Sequence, residues 1–244
     1  MGGIGKTALA QRLYNDAGVN RCFKRKAWVC VSDVFDVFDI TKNIFHYITG
    51  LSWQDEDLNG LQVKLRDNLS RKKFLVVLDD IWNDKYERWT AILKPFEAGA
   101  RGSKIIITTR NRSVASITKT LPYCLKELSP ENCTNLLAFH ALGEINFESH
   151  PKFEKICKKI AERCKGLPLV AKMLGGALRS ITNPDEWEDI LNNIIRDNAM
   201  VENDEQSQLR VGYALALGSL SWQLMKMMHL LEELVMHHSS CQEL

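Results

Sequence analysis

Apolar residues in this chain follow two different rhythms, and the way the rhythms alternate predicts the architecture. Short, nearly unbroken apolar runs occur at Lys26-Ala27-Trp28-Val29-Cys30-Val31, at Phe74-Leu75-Val76-Val77-Leu78 and at Ile105-Ile106-Ile107-Thr108-Thr109. The last run follows the turn Gly99-Ala100-Arg101-Gly102. Runs of β-favouring residues without a polar face suit strands buried on both sides of a parallel sheet. Between them the apolar positions recur at helical spacing. Ala8, Leu9, Leu13 and Tyr14 form one face; Ile40, Ile44, Phe45 and Ile48 form another behind Asp39 as its N-cap. Leu61, Leu65 and Leu69 form a third, ended by Arg71-Lys72-Lys73. Strands separated by helices predict a three-layer α/β fold with a parallel sheet.

From Ser129 onward the rhythm is helical only. Ser129-Pro130 has the order of an N-cap and a first helical residue, and Pro151 opens a helix with Phe153, Ile156, Cys157, Ile160 and Cys164 on one side. Gly166 stops that helix and Pro168 starts the next, while Asn183-Pro184-Asp185-Glu186 starts another bearing Trp187, Ile190, Leu191, Ile194 and Ile195. A small helical bundle follows from these faces, and Gly175-Gly176 inside one helix predicts close packing there. Residues 198–208 are acidic and read as a linker. Beyond them Leu220, Leu224, Met227, Met228, Leu231, Leu234 and Val235 form an apolar stripe, expected as a docking helix or divergent tail. The expected organisation is a nucleotide-binding subdomain over 1–128, a helical subdomain over 129–197, and a linker with tail over 198–244.

Composition narrows the class. Thirty-two basic and 30 acidic residues leave a net charge of +2, which makes no electrostatic case for a nucleic-acid partner. No apolar run approaches the ~20 residues of a membrane span. Seven cysteines contain no C-x-x-C pair and are odd in number, the pattern of reduced core thiols in a cytoplasmic protein.

The chemistry is concentrated at three places. Gly2-Gly3-Ile4-Gly5-Lys6-Thr7, running into Ala8, is the second half of the phosphate-binding pattern G-x-x-x-x-G-K-[ST]. Its glycines let backbone N–H groups turn inward around a phosphate, Lys6 adds a point charge, and the Thr7 hydroxyl can ligate Mg2+. Asp79-Asp80 closes the Phe74 run, the Walker B arrangement of apolar residues followed by an acid. A carboxylate at the C-terminal end of such a strand faces the crevice where ligands of open α/β sheets bind. Arg110 ends the third run, within reach of a terminal phosphate. The fold expected is therefore a P-loop NTPase sheet lacking its first strand, followed by a small helical bundle.

These blocks resemble the NB-ARC domain of plant disease-resistance proteins, the intracellular immune receptors with leucine-rich repeats. Gly2 to Thr7 match the phosphate loop; Trp28-Val29-Cys30-Val31-Ser32 with Phe35-Asp36 match the next block. Leu75-Val76-Val77-Leu78-Asp79-Asp80-Ile81-Trp82, Gly102-Ser103-Lys104 through Thr108-Thr109-Arg110, and Gly166-Leu167-Pro168-Leu169 match the three that follow. Trp82 resembles the coiled-coil class. The resemblance implies an ADP/ATP-binding switch in which Lys6 and Thr7 contact phosphate and Mg2+, and Asp79 contacts Mg2+. It further implies that Asp80 lies near the attacking water, Arg110 contacts the γ-phosphate and Pro168 packs on adenine. Implied partners are coiled-coil and leucine-rich-repeat domains in cis, with self-association on activation. Met236-His237-His238 comes too soon after Gly166 to be the family's Met-His-Asp motif.

Two rival readings stay open at this stage: a P-loop ATPase or kinase of another class, and a truncated paralogue that binds no nucleotide. An Asp, not a Glu, follows the Walker B acid, which disfavours a fast ATPase. The pattern's leading Gly would sit one place before Met1, and the strand feeding the loop is absent. The chain is accordingly expected to be an interior piece of a longer receptor. By family topology the absent strand would lie between the one ending at Thr109 and one around Tyr123 to Leu125.

Overall fold

The computed structural model describes residues 2–31, 35–55, 57–82, 85–118 and 122–200, with side chains to residue 192. The chain divides into two compact units, the first ending at Leu125 and the second starting at Lys126.

The first unit runs α1 (Lys6–Asn15), α2 (Ala17–Cys22), β1 (Arg25–Cys30), α3 (Val37–Thr49), α4 (Leu58–Leu69), β2 (Phe74–Ile81), α5 (Tyr86–Leu93), β3 (Lys104–Thr109) and α6 (Arg112–Ile117). Its three strands are parallel in the order β1-β2-β3. The central strand β2 is buried along almost its whole length, as its unbroken apolar run requires. Helices cover the sheet through Ile44, Ile48, Leu61, Leu65, Leu69, Trp89 and Ile92, which join Val29, Val76 and Leu78 in one core. The expected parallel α/β sheet is the one observed.

Several local expectations are corrected. The N-cap of α3 is Asp36, whose carboxylate accepts from the Asp39 amide at 3.0 Å. Asp39 is thus the recipient of the cap, because Asp36 stands three residues ahead of it, where an N-cap side chain meets the N3 amide. Along α1 only Ala10 is buried; Leu9 and Leu13 are exposed, at 38% and 44%. Tyr14 instead turns its ring edge-on to Trp28, 5.5 Å between centroids, beneath the Lys26 ammonium. Burial there lowers the Lys26 pKa. No strand forms around Tyr123 to Leu125: residues 122–129 form no regular element, and Tyr123 is 84% exposed. A strand exists by pairing, and among the described residues none lies beyond β3 to receive it.

The second unit packs α7 (Pro130–Leu142), α8 (Glu154–Arg163), α9 (Pro168–Leu178) and α10 (Pro184–Met200) around Cys133, Leu137, Cys157, Ile160, Leu174 and Trp187. Ser129 caps α7 by accepting from the Asn132 amide at 3.2 Å. Gly175 explains the α7–α9 contact, since a Cβ there would lie 2.7 Å from both the Leu137 carbonyl and the His140 Cβ. Gly176 meets nothing within 4 Å, so only the first glycine of the pair serves packing. Trp187 lies edge-on to Phe153 at 4.7 Å and donates its indole N–H to the Ile181 carbonyl at 3.1 Å. Helix α10 runs to Met200, past the expected start of the linker. The acidic stretch from residue 201 and the apolar stripe beyond it lie outside the described residues.

The cysteines do not behave alike. Cys133, Cys157 and Cys164 are buried free thiols, and burial beside Cys133 pushes the Cys157 pKa up to about 12. Cys22, Cys30 and Cys124 are exposed, so the expectation of core thiols holds for the helical unit alone among the described residues.

Candidate functional site

The loop ahead of α1 needs glycine on conformational grounds. Gly3 and Gly5 have φ of 68° and 94°, in the left-handed region that other L-residues enter at a cost. Gly5 is the N-cap of α1 and offers no side chain to it. The helix's own ladder begins with the Leu9 amide donating to the Gly5 carbonyl at 2.9 Å. Amides ahead of that bond point out of the helix N-terminus, where the peptide dipoles also favour an anion. Gly2, Gly3, Ile4, Gly5 and Lys6 are half-buried, while Thr7 and Ala8 are exposed in the first turn.

Asp79 stands where β2 leaves the core. It is 4% exposed, and its Oδ1 accepts the hydroxyls of Thr7, at 3.0 Å, and of Thr108. The Thr108 hydroxyl in turn accepts the Asp80 amide at 2.9 Å. Three elements (α1, β2 and β3) thus converge on one carboxylate oxygen. Burying a carboxylate without hydrogen bonds is costly, and these two hydroxyls offset part of that cost. Thr108 was legible only as a strand residue. Its partnership with Asp79 arises from the pairing of β2 with β3, which juxtaposes residues 29 apart in sequence.

The next residues leave the regular ladder. Leu78 pairs with Ile107, but Ile81 pairs with Thr109, so β2 carries one extra residue between those points. Asp80 sits in this bulge with φ 54°, a left-handed conformation that Asp tolerates better than most residues. Its carboxylate faces the Arg110 guanidinium at 3.4 Å, a half-exposed pair worth ~0–1 kcal/mol. The same guanidinium lies over the Trp82 ring, 4.6 Å from its centroid. Arg110 also reaches the loop, since a Cβ on Gly2 would stand 3.5 Å from its terminal nitrogen. The structure thus brings together the loop, Asp79, Asp80 and Arg110. Pro168 belongs to the other unit, half-buried at the first position of α9.

The donor set bears on Mg2+. Asp79 and Thr7 supply hard oxygens from two elements, the ligand type this ion prefers. Among the described residues no group of three His, Cys, Asp or Glu could hold a metal without help. Mg2+ in nucleotide sites takes one or two carboxylates and completes its shell with phosphate oxygens and water. The residues fit an ion shared with a phosphate chain.

Comparison with known proteins agrees with this geometry. The NB-ARC domain model matches residues 1–144. Two relatives from Solanum bulbocastanum, RGA4 and RGA2, are 42% and 39% identical over 214 and 215 residues. Each alignment covers 87% of this chain and 22% of the relative. RPP13-like protein 1 from Arabidopsis thaliana is 38% identical over 216 residues, 87% of this chain and 20% of its own length. All three carry disease resistance in their names. The chain spans about a fifth of the length of these relatives. No helix among the described residues is long and apolar enough to cross a membrane. With five sequence blocks, a parallel sheet and a phosphate loop set against a buried Asp, the chain belongs to the NB-ARC family of nucleotide-binding domains.

Proposed function

We propose that this domain is the ADP/ATP switch of a plant immune receptor that acts in the defence response to pathogens. The observation that carries the reading is the convergence of Thr7 and Thr108 on the buried Asp79 beside the glycine loop. In this reading the loop amides and Lys6 hold the phosphates, and Pro168 packs on the adenine. Thr7 and Asp79 hold Mg2+, which when bound neutralises charge on the phosphate oxygens. Asp80 orients the attacking water. Arg110, exposed and loosely held by Asp80, is free to exchange that carboxylate for a γ-phosphate. ADP occupies the resting state, exchange to ATP biases the subdomains toward the signalling state, and slow hydrolysis restores rest. Turnover need not be fast for such a switch. The same reading places the protein in the cytoplasm, with coiled-coil and leucine-rich-repeat domains in cis and self-association on activation.

Separable roles for the two acids test this scheme. Asp79→Ala is expected to remove the Mg2+-dependent part of ATP affinity. Asp80→Asn, which tolerates the left-handed backbone, is expected to keep nucleotide binding and slow hydrolysis by about 100-fold or more. Calorimetry with and without Mg2+, beside single-turnover hydrolysis, measures both. Parent-like hydrolysis in both variants would reduce the acid pair to a turn. Fast steady-state turnover in the parent would favour a P-loop enzyme of another class.

A further inference from the structure

The bulge in β2 has a consequence for Trp82. Had the ladder continued in step from Leu78 and Ile107, Ile81 would lie opposite Arg110. The extra residue puts Ile81 opposite Thr109, and the Thr109 hydroxyl fixes this register by donating to the Ile81 carbonyl at 2.6 Å. The next residues along the two parallel strands, Trp82 and Arg110, therefore become neighbours. Asp80 and Trp82, two apart, both meet the guanidinium: one through a carboxylate at 3.4 Å, the other through a ring at 4.6 Å.

We infer that Trp82 is a positioning residue: its ring holds the Arg110 guanidinium plane at the mouth of the phosphate loop and thereby sets the preference for triphosphate over diphosphate. The two contacts differ in kind. The Asp80 carboxylate attracts the charge at one point and is screened by solvent. An aromatic face attracts a cation over its whole area and leaves the guanidinium edge open for in-plane hydrogen bonds to oxygen. Arg110 can thus turn its edge from Asp80 to a phosphate oxygen without leaving the ring. Because Gly2 backs the same guanidinium, the movement needed is small. Without the ring, a flexible side chain would have to be ordered again when the triphosphate binds, and affinity for that nucleotide alone would fall.

This inference rests on the nucleotide-switch reading, and the experiment keeps the two apart. ADP and a non-hydrolysable ATP analogue are titrated with Mg2+ into the 244-residue chain and into Lys6→Ala, Trp82→Ala, Trp82→Phe, Arg110→Lys and Trp82→Ala/Arg110→Lys. Trp82→Ala is expected to lower the triphosphate-to-diphosphate affinity ratio about 3- to 10-fold, with Trp82→Phe restoring most of it. In the Arg110→Lys background, where the planar group is gone, Trp82→Ala is expected to change the ratio no further. An unchanged ratio in Trp82→Ala would overturn the inference, as would equal losses for both nucleotides, the mark of a merely structural role. A further loss in the Arg110→Lys background would overturn it too. Lys6-dependent ADP binding in the parent stands apart from these outcomes; its absence would remove the switch reading and this inference together.

Discussion

Replacing Lys6 with Ala is expected to weaken ADP binding by about 10- to 150-fold, the equivalent of one charge-assisted phosphate contact of about 1.5–3 kcal/mol. Lys6 opens α1 directly after the left-handed Gly5, and in the proposed reading its ammonium acts on the same phosphate as the amides of the first turn. The effect should reside in the phosphate term. Adenosine, which lacks phosphate, is expected to bind parent and variant alike. Little loss of fold is expected, because Lys6 is not among the buried residues of the unit. Calorimetric titration with ADP measures it, and equal affinities would contradict the phosphate-loop assignment.

The second large effect concerns the helical unit. Gly166→Ala is expected to destabilise it by about 2–5 kcal/mol, the sum of a left-handed penalty and overpacking. Gly166 has φ 70°, and a Cβ there would stand 2.7 Å from the Leu128 carbonyl oxygen and 2.8 Å from the Glu127 Cβ. Backbone cannot yield as a flexible side chain does, and the Leu128 amide is tied to the Gly166 carbonyl at 2.9 Å. Such a loss is a large part of a typical domain stability of about 5–15 kcal/mol. Gly176→Ala, open to space on the next helix, is expected to be neutral or to stabilise by up to ~1 kcal/mol. Denaturant unfolding followed by circular dichroism compares the two. Equal midpoints would show that Gly166 is helix punctuation without a packing role.

Local rules carried much of this architecture. Unbroken apolar runs marked all three strands, although only the central β2 buries both faces while β1 and β3 stay partly exposed. The glycine-Lys-Thr string marked the loop because few other sequences make that turn. Proline and Ser129 marked the helix starts of the second unit for equally local reasons. The missed features depend on partners distant in sequence. Leu9 and Leu13 have helical spacing, yet nothing in that spacing says whether a neighbour covers them. Asp36 and Asp39 are the same residue type three apart, and only backbone geometry decides which one caps. The bulge that aligns Trp82 with Arg110 is a matter of ladder register, set between strands and invisible along either one.

The domain is expected to hold an adenine nucleotide through its phosphate loop. The most direct measurement denatures the purified 244-residue chain and separates the released small molecules by chromatography, with the Lys6→Ala protein alongside. ADP released by the parent, close to one per chain, and lost from Lys6→Ala is the predicted result. No adenine nucleotide from either protein, combined with no uptake of added Mg-ADP by the parent, would contradict nucleotide binding by this loop.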